Sequence, residues 1–189
     1  MARVLEPIDG QIRELPLWAE NLVAARMVRR AALAHFGEKP SELREKVMEA
    51  LDTMEECSRT GQVTRAQKVV LEAAYRLRDT AKRGEQALLS GVYFATDSTL
   101  AADAAQDFPI DGTVAMSALR AIESLQTDRR FSALQIRILL ASDVDLLQFS
   151  CEKGVWNRYS GLGAAVVNNL TPLHPLTLVE ERQEECDRR

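Results

Sequence analysis

Apolar residues recur at steps of three and four from Trp18 to about Cys151, broken only by short stretches of Gly, Pro, Ser and Thr. This spacing places them on one face of an α-helix, and no segment alternates strongly enough to predict a strand. The sequence therefore predicts an all-α fold, a single-domain bundle of six to seven helices. Residues 1–178 are expected to form this domain, and the charged residues 179–189 a frayed or disordered tail.

Local start and stop signals divide the pattern into helices. Thr64 and Gln67 have the spacing of a capping box, which opens a helix, and Gly37 and Gly61 stand where helices are expected to stop. The six predicted helices cover about residues 16–37, 41–61, 64–84, 85–105, 113–125 and 132–153. The fourth is apolar on two adjacent faces, so we expect it to be the central helix. Residues 164–170 are compatible with a short helix or a strand.

The composition is that of an ordinary globular protein. Of the 189 residues, 46% are hydrophobic and 28% are charged, and the formal net charge is −4. The basic residues are scattered among acidic ones, whereas nucleic-acid-binding domains concentrate them on one face. Basic pairs such as Arg29-Arg30 and Lys82-Arg83 are expected on solvated surfaces or at helix ends. A nucleic-acid partner is disfavoured, and that alternative needs a basic face that only a structure could reveal.

The apolar runs and the cysteines bear on the cellular compartment of the protein. No apolar run is long enough for a signal peptide, and none approaches the roughly 20 residues of a membrane span. The three cysteines, Cys57, Cys151 and Cys186, stand at unrelated spacings, which favours reduced thiols over a disulfide framework. These features predict a cytoplasmic protein without a membrane partner.

Sequence motifs for catalysis, cofactor binding and metal binding are missing. The two histidines, His35 and His174, do not belong to the Glu-x-x-His pairs of di-metal helical bundles. Cys57 and Cys151 fall on apolar stripes, where a free cysteine behaves as a small hydrophobic residue. The sequence therefore assigns no catalytic residue, no cofactor and no metal.

Carboxylates on apolar helix faces are the strongest site candidates. Asp97 follows Tyr93 by four residues, so both occupy one face of the fourth predicted helix, while Asp143 and Asp145 interrupt the apolar sixth helix. A buried carboxylate needs a partner or a raised pKa, and both situations are common at functional sites. The structural alternative is a salt bridge to an arginine of a neighbouring helix, such as Arg26 or Arg76.

A second candidate follows the sixth predicted helix, where Trp156, Arg158 and Tyr159 form a compact aromatic and basic cluster. Such residues are enriched at binding hot spots. Trp and Tyr also close the ends of helical bundles. The sequence leaves partner contact and bundle closure open.

Residues 91–97, Gly-Val-Tyr-Phe-Ala-Thr-Asp, carry a resemblance to a known family. They are similar to a stretch of the YjaG-like family of small bacterial helical proteins. The Leu-Pro-Leu-Trp sequence at residues 15–18 is loosely similar as well, whereas the residues after Gly154 depart from the family. The resemblance implies a bacterial, all-helical protein and assigns neither an activity nor a functional residue.

Together these observations favour a non-enzymatic protein that acts through an unidentified protein partner or through self-association, including as a homodimer. The alternative is a small-molecule-binding protein or an enzyme. Its pocket would lie between the fourth and sixth helices and would be lined by Tyr93, Asp97 and Asp145.

Overall fold

The computed structural model describes residues 8–104, 133–153, 160–168 and 170, and every regular element among them is helical. The elements are α1 (Asp9–Arg13), α2 (Leu17–Phe36), α3 (Glu42–Thr60), α4 (Arg65–Tyr75), the 3-10 helix η1 (Arg76–Thr80), α5 (Gln86–Ala104), α6 (Ala133–Lys153) and α7 (Gly163–Asn168). Their apolar faces meet in one hydrophobic core. The predicted all-α single-domain bundle is confirmed.

The predicted helix signals act where the sequence places them. The Ser41 side chain accepts a hydrogen bond from the backbone N–H of Arg44 at the start of α3, and Gly61 ends that helix in the left-handed conformation, with φ 75°. Thr64 and Gln67 form the capping box that opens α4. The helix predicted to reach residue 84 instead tightens at Tyr75 into η1.

Three further segments of the prediction concern residues 164–170, the fifth helix and the charged tail. Residues 163–168, at the segment left open between helix and strand, are helical as α7. The fifth predicted helix at 113–125 and the charged tail at 179–189 lie outside the described residues.

Helix α2 is the most enclosed helix of the described bundle. Its residues are buried without a gap from Leu17 to Ala32, and it packs against α3, α5 and α6. The sequence predicts that the fourth helix, α5, is central, but α5 keeps several half-buried positions. Because α2 carries polar residues within its buried span, its central position depends on partners from other helices.

One of these partners is a buried polar network around Asn21. The Asn21 amide donates to Ser58 Oγ of α3 at 2.9 Å, and its Oδ1 accepts from Thr99 Oγ1 of α5 at 3.0 Å. All three side chains are fully buried. Each of these hydrogen bonds pairs polar groups that would otherwise be buried without a partner. The network therefore fixes three helices in one register.

The expectation that Arg29 and Arg30 are solvated is wrong, because both are buried. Arg29 Nε donates to Glu55 and its Nη2 to Asp52, both at 2.7 Å, which joins α2 to α3. The acidic partners are 23 and 26 residues away, so helical periodicity alone does not reveal them.

Two glycines allow the chain before α7 to pack on the end of α3. A Cβ at Gly161 would lie 2.3 Å from the Gly61 backbone nitrogen, and a Cβ at Gly61 would lie 2.3 Å from the Gly161 nitrogen. Next to this contact, Leu162 N–H donates to the Ser58 carbonyl at 3.0 Å. The backbones can approach this closely only if neither residue carries a side chain.

Candidate functional site

Asp143 of α6 is fully buried between two arginines of α2. Its carboxylate accepts from Arg26 Nε and Nη2 at 3.1 and 3.3 Å, and from Arg30 Nη1 and Nη2 at 2.6 and 3.1 Å. Arg30 is fully buried and Arg26 nearly so. Fork-shaped pairing of this kind satisfies several donors at once and fixes the geometry of both partners.

This cluster answers one question that the sequence leaves open. Of the two alternatives for the carboxylates on apolar faces, Asp143 takes the structural one, a salt bridge to Arg26. A carboxylate with four hydrogen bonds and no solvent exposure is poorly placed to meet a ligand. The cluster holds α6 on α2, and we do not assign it a binding role.

A second cluster lies at the surface where α4, η1 and α5 pack together. The Tyr75 hydroxyl is hydrogen-bonded to the Tyr93 hydroxyl at 2.7 Å and to Asp97 Oδ1 at 3.1 Å, and the carboxylate is the acceptor in the second bond. The two tyrosine rings are 4.1 Å apart between centroids. Arg78 Cζ lies 4.8 Å from the centroid of the Tyr93 ring. We call these four residues the tyrosine surface.

The tyrosine surface is ordered and only partly enclosed. Tyr75, Tyr93 and Asp97 are half-buried and Arg78 is exposed. The position of Arg78 over the Tyr93 ring is a cation–π contact, worth about 0.5–1 kcal/mol at an exposed site. Phe94 packs edge-on against Tyr93 at 5.1 Å between ring centroids, so the Tyr93 ring contacts Phe94 as well as Tyr75 and Arg78.

The chemistry of this surface favours recognition over proton transfer. The hydrogen bond with Tyr93, partial burial and the Asp97 carboxylate together raise the pKa of the Tyr75 hydroxyl above its ordinary value. A hydroxyl that keeps its proton at neutral pH is a weak nucleophile and a weak base. It remains a good hydrogen-bond donor and acceptor.

Among the described residues, no contact links the other predicted site residues to the tyrosine surface. Asp145 is exposed on α6, whereas Tyr93 and Asp97 interact with α4 and η1. Trp156, Arg158 and Tyr159 lie outside the described residues.

Sequence reasoning misses Tyr75 and Arg78. Tyr93 and Asp97 are recognisable because they are four residues apart on one helix. Tyr75 is 18 residues from Tyr93 and comes from a different helix. A tyrosine and an arginine three residues apart within a predicted helix are a weak signal that only the packing of α4 on α5 makes meaningful.

The thiol of Cys57 is a structural group. Cys57 is fully buried, as predicted, and burial together with the negative charges of Asp103 and Glu56 raises the pKa of its thiol to about 12. Such a thiol is unreactive at neutral pH. The Cys151 side chain and His174 lie outside the described residues.

Two kinds of feature are not found in the part of the chain that the structure describes. No three or more His, Cys, Asp or Glu side chains there lie together in a way that suits a metal ion. None of the helices there combines the length and the apolar character needed to cross a membrane.

Comparison with known proteins gives no significant match to a protein-family model, a curated protein or a solved structure. The resemblance of residues 91–97 to the YjaG-like family stays a prediction. The chemistry of the tyrosine surface is therefore the evidence for a function.

Proposed function

We propose that this protein is a non-enzymatic interaction protein and that the tyrosine surface contacts its protein partner. The observation that carries the proposal is the ordered arrangement of Tyr75, Tyr93 and Arg78 at a partly exposed position. Tyr and Arg are the residue types, along with Trp, that contribute most to binding at protein interfaces.

Order before binding strengthens this argument. Association loses free energy when it immobilises flexible side chains, by about 0.5–1.5 kcal/mol for each one. Here Tyr93 already contacts Arg78 and Phe94, and its hydroxyl is hydrogen-bonded to Tyr75. A partner that contacts this surface meets side chains whose positions are set by the fold.

Site-specific photo-crosslinking in cells tests the proposal. A crosslinking amino acid replaces Arg76, which is exposed beside the tyrosine surface, and in a matched control it replaces Arg137, which is exposed on α6. We expect position 76 to form an adduct with one discrete protein, identified by mass spectrometry, and Arg78→Ala to reduce that adduct strongly. Equal labelling from both positions, or an adduct indifferent to Arg78→Ala, contradicts the proposal.

The same assay addresses a small-molecule role. Asp145→Asn removes the carboxylate expected to line an inter-helical pocket but leaves the tyrosine surface intact. If the protein binds its partner through the tyrosine surface, this variant keeps the position-76 adduct, whereas Arg78→Ala does not. Loss of the adduct in Asp145→Asn shows that the contact surface is elsewhere.

A further inference from the structure

The charged residues of α3 are arranged as an acidic stripe. Five carboxylate residues follow one another at alternating steps of three and four, which keeps them on one face of the helix over about 21 Å. They are Glu42, Glu45, Glu49, Asp52 and Glu56. The opposite face of α3 is buried through Val47, Leu51 and Met54, so the acidic stripe points away from the core.

Three of the five carboxylates of the acidic stripe are paired, including Asp52, which accepts from Arg29 of α2. Lys46 pairs with Glu42, and Arg59 pairs with Glu56. Within the described residues, the exposed carboxylates of Glu45 and Glu49 make no ion pair. The middle of the stripe therefore presents two free negative charges.

The next elements along the chain have the opposite charge. Residues 65–83, which cover α4 and η1, contain six basic and two acidic residues. All six basic side chains are exposed: Arg65, Lys68, Arg76, Arg78, Lys82 and Arg83. We call them the basic face. Within the described residues none of them forms an ion pair, although the whole chain has a net charge of −4.

The basic face also contains an apolar contact point. Val69, which is 64% exposed, follows Arg65 by four residues and precedes Arg76, the first residue of η1, by seven. The exposed Glu72 follows Val69 by three residues, so one carboxylate lies on the same side of the helix. The buried side of α4 is formed by Leu71 and Ala74. Like the acidic stripe, the basic face points away from the core.

We infer that a second copy of this chain binds here, with the acidic stripe of each copy against the basic face of the other. Helices α3 and α4 are neighbours in the bundle, and both charged faces point outward. In the proposed dimer a two-fold axis runs between and along the two helices, so that α3 of one copy lies over α4 of its partner and the reverse. Self-complementary surfaces of this kind form isologous dimers.

The inference rests on the proposed function, since Arg78 belongs both to the tyrosine surface and to the basic face. It specifies that the protein partner is another copy. Charge complementarity favours this arrangement, because the opposite free charges attract, whereas an arrangement that places like charges opposite each other is unfavourable.

Sedimentation velocity of the purified protein with reversed charges tests the dimer. One variant carries Glu45→Lys and Glu49→Lys, and the other carries Lys68→Glu and Arg76→Glu. All four residues are exposed, so circular dichroism is expected to show the same fold. We expect the wild type to be dimeric at about 50 mM salt and to weaken at least tenfold at about 500 mM, where screening shortens the reach of charges to a few ångströms.

The mixture of the two variants is the decisive sample. Each variant alone is expected to be monomeric, because lysine faces lysine in one and glutamate faces glutamate in the other. Mixed, the reversed stripe of one variant meets the reversed basic face of the other, and the second contact keeps the wild-type charges on both sides. A heterodimer is therefore expected to form with near wild-type affinity. A control with Arg137→Glu and Asp145→Lys, exposed on α6, is expected to dimerise normally.

Two outcomes overturn the inference: a wild type that stays monomeric at high micromolar concentration and low salt, or variants that do not recombine in the mixture. The photo-crosslinking result separates this failure from failure of the proposed function. An adduct with a different protein at position 76 refutes only the dimer, whereas no adduct at all refutes the interaction surface.

Discussion

Removing the charge of Asp143 is the most informative perturbation of the fold. Asp143→Asn preserves the shape of the side chain but leaves Arg26 and Arg30 facing a neutral amide inside the core. In the wild type these two guanidinium groups donate four hydrogen bonds to the carboxylate. In the variant their positive charges lie close together without the anion that separates them.

The expected loss of stability is large. Breaking a buried ion pair by removing one partner costs about 3–5 kcal/mol, because an uncompensated charge stays buried. In a protein of this size each kcal/mol lowers the melting temperature by about 2–4 °C. We therefore expect Asp143→Asn to lower the melting temperature by about 10 °C.

Urea unfolding followed by circular dichroism measures this loss. Asp145→Asn is the matched control, because the same change is made two residues away on the exposed side of α6, where surface substitutions stay within about 0.5 kcal/mol. A double-mutant cycle with Arg30→Met isolates the ion pair, and we expect a coupling free energy of about 1–3 kcal/mol.

Small values would refute the reasoning. If Asp143→Asn costs less than about 1 kcal/mol, far below the penalty for an uncompensated buried charge, or if its effect adds to that of Arg30→Met without coupling, the carboxylate does not hold α6 on α2.

Three further predictions concern packing and titration. Gly161→Ala is expected to cost about 1–3 kcal/mol, the range for overpacking, whereas Gly10→Ala, with open space around its Cβ, is expected to cost nothing in urea unfolding; equal effects contradict the close contact. In a variant whose single cysteine is Cys57, the native thiol is expected to react about a thousandfold more slowly with a disulfide reagent than the unfolded thiol, because its pKa is raised to about 12; rapid native labelling would show an accessible thiol. The raised pKa of Tyr75 stabilises the fold fully below the ordinary tyrosine pKa of 10.0, and this stabilisation is lost as the pH rises above it. Tyr75→Phe is therefore expected to flatten the alkaline decline in unfolding free energy and to remove one tyrosine ionisation that is shifted to high pH in an ultraviolet titration. An unchanged titration would contradict the hydrogen-bonded cluster.

Helix positions were predictable from the sequence because the signals that set them are local. The capping box of Thr64 and Gln67 spans three residues, and Gly61 ends α3 through its own backbone conformation. Hydrophobic spacing then selects the buried face of each helix. The end of α4 was missed, since the change from α-helix to η1 at Tyr75 carries no Gly or Pro.

The candidate site was only half predictable for the same reason. Tyr93 and Asp97 are found by their spacing of four on one helix, whereas Tyr75 and Arg78 join them only because α4 and η1 pack on α5. The acidic stripe is visible in the sequence, but its position beside the basic face depends on the packing of α3 with α4.

By itself, then, the sequence determined that the chain is helical, where most of its described helices begin and end, and which faces are apolar. The tertiary structure decided which helix is central and which charges are buried. The reason is physical: helix signals act within about four residues, whereas Asp143 meets Arg26 across 117 residues of chain. Burial of arginine is tolerable only where a carboxylate arrives to pair with it, and only the folded chain brings the two together.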